Sequence, residues 1–169
     1  CPEDITVYLD TMDCMRSICY NIESMDNCTN SALVIPGYTY VGTLNGNTYY
    51  ISDIGALNRK TWQDANLAAA QIGGHLVAIT STPENNLLRT YIPFAADPLD
   101  RNLWIGLQYI PRLSNFLWNT CEPLDYENFA GVQPPNTDSA YAYVWESLNG
   151  TWFDSPESVT NRYIVEFEG

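Results

Sequence analysis

The sequence predicts an α+β domain, and three observations carry that prediction. Residues 61–72 are Ala-rich, place Trp62, Ala65, Ala69 and Ile72 on one face at helical spacing, and stop at Gly73-Gly74. Two apolar runs of strand length, residues 73–79 and 103–107, stand either side of a second helix signal. Two alternating runs, residues 38–42 and 48–52, flank Asn45-Gly46, a dipeptide that tolerates the positive φ of a tight hairpin turn.

Residues 1–36 read differently from the rest. Ile5-Thr6-Val7-Tyr8-Leu9 is β-prone, and Cys14 and Cys28 bracket a second short strand around residues 18–22. So short a segment buries too little to hold a core alone. It is expected to pack on residues 37–169 or to complete itself with another chain. Cys14, Cys19 and Cys28 are crowded together without zinc-type pairs of cysteines two residues apart, which fits an exported protein. Five cysteines are an odd number. Cys1 is open between a free thiol, a lipid anchor and a bond to another chain. Cys121 is open between a tether to the N-terminal segment and a free thiol.

From Gly37 onward each element has a local reason. Thr61 caps the first helix, with Asp64 at its third position, and the double glycine ends it. Ser81-Thr82-Pro83-Glu84 opens the second helix as a capping box with proline in its first turn. That helix carries Leu87, Leu88, Tyr91 and Ile92 inward and stops at Pro93. Residues 108–140 are loop-rich, with prolines at 111, 123, 134 and 135. Residues 141–145, 151–153 and 162–167 read as closing antiparallel strands.

Charge and motif content exclude several functions. Twenty acidic against 7 basic side chains give a net charge of −13. Such a surface repels nucleic acid and anionic membranes, which are bound by neutralising phosphate with Lys and Arg. No apolar run is long enough to span a bilayer. His75 is the single histidine and lies in a predicted strand, where a hydrogen-bonded structural role is expected. No nucleophile–base motif and no phosphate-cradling glycine loop accompanies it, so an enzyme is not expected.

The order helix, Gly-Gly, strand, second helix, then Trp104-Ile105-Gly106-Leu107 resembles the C-type-lectin-like domain over about residues 37–169. The resemblance implies an α+β fold of two helices, antiparallel strands and a long loop region. It also implies a secreted or cell-surface module that recognises a glycan or protein in adhesion. In that family sugar binding runs through calcium, which takes six to eight oxygen ligands. A Gln-Pro-Asp or Glu-Pro-Asn loop, a downstream acid and a Trp-Asn-Asp strand supply them. Here the loop reads Gln133-Pro134-Pro135-Asn136, with Asp138 beside the downstream position, and the strand reads Trp152-Phe153-Asp154. Pro135 and Phe153 stand where oxygen donors belong, so the expected cofactor is none and calcium is not expected to carry sugar binding. Ligand contacts are expected from Gln133, Asn136, Asp138 and Asp154, with Tyr109 and Phe116 as aromatic candidates for stacking or anchoring. A second family cation position maps to Ser81, Glu84 and Glu166. It is the weaker metal alternative, because the capping box already accounts for Ser81 and Glu84. The family's core disulfide maps to Ala69 and Val165, a pair that fills the space by packing instead.

Cys1-Pro2-Glu3-Asp4-Ile5-Thr6-Val7, a middle cysteine and then Asp26-Asn27-Cys28 resemble the opening of a hyalin-repeat module. Those modules are immunoglobulin-like β-sandwiches of extracellular adhesion proteins, and only a partial repeat is present. This resemblance implies a Cys14–Cys28 disulfide. It also supplies the alternative function, a structural subunit of a surface fibre whose N-terminal strands complete a neighbouring copy.

Overall fold

The structure, a computed structural model, describes residues 34–92, 95, 97–110, 113–131, 141–145, 150–156 and 158–169. The expectations for residues 1–33, including Cys14, Cys28 and the hyalin-like strands, lie outside the described residues. So do Gln133, Pro135, Asn136 and Asp138.

Strands β1 (Tyr38–Leu44) and β2 (Asn47–Ser52) form the expected hairpin, with Leu44 opposite Asn47. Asn45 and Gly46 take φ of 54° and 100°, the two positive values a tight two-residue turn requires. Helix α1 (Trp62–Gln71) starts where the Thr61 side chain accepts the Asp64 N–H, and leaves through Gly73 at φ 86°. Helix α2 (Thr82–Tyr91) starts at Ser81, whose hydroxyl accepts the Glu84 N–H.

The further strands are β3 (His75–Leu76), β4 (Asn102–Ile110), β5 (Asn115–Trp118), β6 (Tyr141–Trp145), β7 (Thr151–Ser155) and β8 (Arg162–Phe167). The sheet runs β1-β2-β8-β4-β6-β7, with β3 added to β8 and β5 to β4. Three details correct the sequence reading. β8 pairs β4 in parallel, so the closing strands are not all antiparallel and the sheet is mixed. Residues 115–118, read as part of a loop-rich stretch, form a strand in which Phe116 and Trp118 turn inward. The apolar run at residues 73–79 gives only two ladder residues. Val77 still donates to the Ile164 carbonyl at 3.1 Å and accepts from Gly106 at 2.8 Å, so the run is buried and bonded without a continuous partner.

Two apolar clusters form the core among the described residues. Trp62, Ala65, Ala69, Leu76, Trp104, Tyr163 and Val165 pack α1 onto the sheet. Ala69 and Val165 are both fully buried there, at the two positions where the resembled family carries a disulfide. The larger cluster gathers β2, residues 77–79, α2 and β4 with Phe116, Trp118 and Trp152. Gly106 is required where β4 crosses the 76–79 segment. A Cβ there would lie 2.6 Å from the Leu76 carbonyl oxygen, inside van der Waals contact.

Candidate functional site

The long loop leaves the sheet over an aromatic floor. Trp152 of β7 is fully buried and meets Trp118, Tyr126 and Phe129 edge-on at centroid distances of 5.6, 5.7 and 5.5 Å. Its Nε1–H donates to the Asn85 side-chain oxygen at 3.1 Å, which ties the floor to the start of α2. Backbone bonds fasten the loop's described stretch to β7: Trp152 donates to Asn128 at 2.8 Å and Ala130 donates to Trp152 at 2.9 Å. The Asn128 side chain adds a bond to the Gly150 carbonyl. Tyr126-Glu127-Asn128-Phe129 is thus the structural seam of the loop's described stretch.

Tyr109 and Phe116 were expected to offer rings for a ligand. They pair across β4 and β5 with centroids 5.2 Å apart, and Phe116 stacks on Phe129 at 5.0 Å. Phe116 is only 3% exposed, so its ring belongs to the core and is corrected as a contact surface. Tyr109 is half-buried at the rim of that core. Trp118 Nε1 is a buried donor with no acceptor among the described residues. Asp154 follows Phe153 on β7, opposite Ala142 in the β6 register, and is half-buried.

At the described half of this site Phe153 brings a ring where the resembled family brings an amide oxygen, beside the retained Asp154. Among the described residues no group of three or more His, Cys, Asp and Glu side chains is placed to hold a metal ion.

A second polar cluster lies in the seam between α2 and β8. Glu84 and Glu166 are 4% and 3% exposed, and Tyr49 of β2 stands with them. The Tyr49 hydroxyl donates to Glu84 at 2.9 Å, and both acids act on the phenol. The other Glu84 oxygen accepts the Thr80 N–H at 2.8 Å and its hydroxyl at 3.2 Å. Glu166 accepts the Asn47 amide at 2.7 Å and the Ala78 N–H at 3.0 Å. All four carboxylate oxygens therefore already accept protein N–H or O–H donors. Burial raises the pKa of Glu84, against the pull of the Thr80 and Tyr49 donors. Burial first, and the charge of Glu84 second, push Glu166 up to about 7. Burial and the two flanking carboxylates likewise push the Tyr49 phenol up. Ser81 takes part only as the cap of α2.

Sequence reasoning found Ser81, Glu84 and Glu166 but missed Tyr49, Asn47 and Asn85, which connect them to the sheet and the floor. The signal for Tyr49 was its shared strand face with Ile51. His75, the single histidine, hydrogen-bonds the Leu76 carbonyl at 2.9 Å and Glu168 at 3.2 Å, a structural arrangement at the sheet edge. No helix among the described residues is long and apolar enough to cross a membrane.

Comparison with known proteins adds to this geometry. An alpha-N-acetylgalactosamine-specific lectin of Patiria pectinifera is 33% identical over 129 residues, covering 72% of this chain and 74% of that protein. The low affinity immunoglobulin epsilon Fc receptor of Mus musculus is 29% identical over 96 residues, 57% of this chain but 27% of the receptor's length. The solved carbohydrate-recognition domain of the mouse scavenger receptor C-type lectin superposes with a TM-score of 0.64 at 26% identity, covering 79% of this chain and 94% of that domain. The family model of the lectin C-type domain matches residues 58–167. With the fold and this match in agreement, the chain belongs to the C-type lectin domain family.

Proposed function

We propose that the domain is an extracellular, non-catalytic recognition module that binds a glycan or protein ligand through its long-loop face without the calcium-dependent sugar site. Phe153 carries the second half of this reading. It occupies the strand position from which a calcium ligand would come, next to the retained Asp154. Family membership and the relative named for N-acetylgalactosamine recognition support the first half. The floor of Trp118, Phe129 and Trp152 anchors the described stretch of the loop at Tyr126–Ala130 through packing and backbone bonds. Gln133, Asn136, Asp138 and Asp154, with Tyr109 at the rim, are the proposed contacts. Amides and carboxylates serve sugar hydroxyls directly by hydrogen bonds.

The test is a glycan array probed in EDTA, with N-acetylgalactosamine-terminated structures included, beside a panel of extracellular proteins. Binding retained in EDTA and weakened about tenfold or more by Asp154→Ala supports the reading; loss of one well-placed polar contact has that size. Binding that needs added calcium, or that is indifferent to every long-loop substitution, rejects it.

A further inference from the structure

We propose that Asn85 is a positioning residue of the long-loop face: from the first turn of α2 it holds Gly150 and Trp152 in one geometry, and through them the loop stretch Asn128–Ala130 and Asp154. What the face does rests on the recognition reading above; how it is held rests on the contacts of this one side chain.

Asn85 is 3% exposed, and its N–H donates to the Ser81 carbonyl at 3.0 Å, so the start of the helix fixes its backbone. Its side-chain oxygen accepts the Trp152 Nε1–H at 3.1 Å. The nitrogen of the same amide lies against Gly150, where a Cβ would stand 2.9 Å from Asn85 Nδ2. Gly150 takes φ 69°, a left-handed value that glycine adopts without strain. These two residues are also the ones that tie the loop to β7. The Gly150 carbonyl accepts the Asn128 amide at 3.1 Å. Trp152 donates to the Asn128 carbonyl at 2.8 Å and accepts from Ala130 at 2.9 Å. Asp154 follows two residues later, on the same face of β7 as Trp152 by strand alternation.

The surroundings of Trp152 show why an amide is needed there. Trp118, Tyr126 and Phe129 meet its ring edge-on, and Asn85 supplies the oxygen for its indole N–H. Trp118, the other indole of the floor, is a buried donor with no acceptor among the described residues. Losing Asn85 would leave both indoles buried and unpaired, and a buried unpaired donor is costly. The Trp152 ring then turns towards another acceptor, and the start of β7 and the seam at Asn128–Ala130 move with it.

Amide hydrogen exchange on the full chain tests the positioning. Asn85→Ala is expected to speed exchange at the Trp152 and Ala130 amides about tenfold more than at the Val77 and Gly106 amides of the core, the size of one lost buried hydrogen bond read locally. Trp152→Phe removes the donor instead and is expected to release the Ala130 amide in the same way. Asn85→Ala added to it is expected to release nothing further, because both changes act through one bond. Binding is read in EDTA with N-acetylgalactosamine-terminated glycans as the probe, and Asn85→Ala is expected to weaken it about tenfold. Exchange that rises equally at the seam and the core overturns the proposal, since Asn85 then serves stability alone. So do unchanged seam amides, additive effects of the two substitutions, or a released seam that binds the probe as tightly as the native chain. A native chain that binds none of these glycans counts against the recognition reading instead, and the exchange comparison still decides the role of Asn85.

Discussion

Glu166 and Glu84 share one phenol and almost no solvent, and this sets the pH behaviour of the seam between α2 and β8. An ordinary glutamate titrates at 4.5, whereas Glu166 in the fold titrates at about 7. The folded chain therefore binds the proton more tightly than the unfolded one. The stabilisation this gives is fully present below about pH 4.5 and is lost as pH rises through about 7. Glu166→Gln keeps the shape and removes the titration. Urea unfolding at pH 5 and pH 8 should show a smaller pH difference for the variant than for the native chain; equal differences would contradict the shared proton. Ser81→Ala should cost about 1 kcal/mol, the worth of an N-cap, as read from the same unfolding curves. At this scale the sequence exposed Ser81 and Glu84, because a cap is a local pattern of four residues. The family resemblance grouped Glu166 with them, but nothing local exposed Tyr49, whose contact with Glu84 is set by strand register. Phe116 was misjudged for a related reason: an aromatic residue between prolines gives no local sign of which face it turns to.

Among the elements, those defined by short-range rules were readable and those defined by long-range pairing were not. The Asn45-Gly46 hairpin, the caps at Thr61 and Ser81 and the double-glycine stop all follow from backbone preferences of neighbouring residues. β5 has only two inward side chains, too few for an alternation to stand out between Pro111 and Pro123. The parallel register of β4 and β8 depends on which strands become neighbours, which no window of sequence contains. Gly106 was read as part of a strand, yet the reason for a glycine lies in another segment, the Leu76 carbonyl. Gly106→Ala should therefore destabilise by about 3 kcal/mol, the upper range for forcing an extra methyl into a packed site. A denaturation midpoint close to that of the native chain would mean that β4 and the 76–79 segment separate freely.

As a whole, the molecule is a C-type lectin domain whose core stands on packing where the resembled family uses a bridge, with Ala69 and Val165 buried in the same cluster. Its acidic surface, net −13, disfavours polyanionic partners and leaves neutral glycans and proteins. The C-type lectin resemblance was legible because it rests on several short motifs in order. The hyalin-like segment lies outside the described residues and stays an expectation, as does the part of the proposed binding face that carries Gln133, Asn136 and Asp138. Residues 1–36 are expected from the sequence to pack on the rest of the chain, so removing them should lower the melting temperature or the solubility of the remainder; an unchanged, monomeric remainder would reduce the segment to a linker. The central claim is a lectin fold that works without calcium, and thermal unfolding in calcium and in EDTA tests it most directly. Calcium at ~5 mM exceeds the dissociation constants of weak extracellular sites, and an ion bound only to the native state raises the melting temperature by mass action. The account predicts the same melting temperature in both solutions, whereas a clear fall in EDTA that calcium restores would contradict it and return Glu84 and Glu166 to the role of metal ligands.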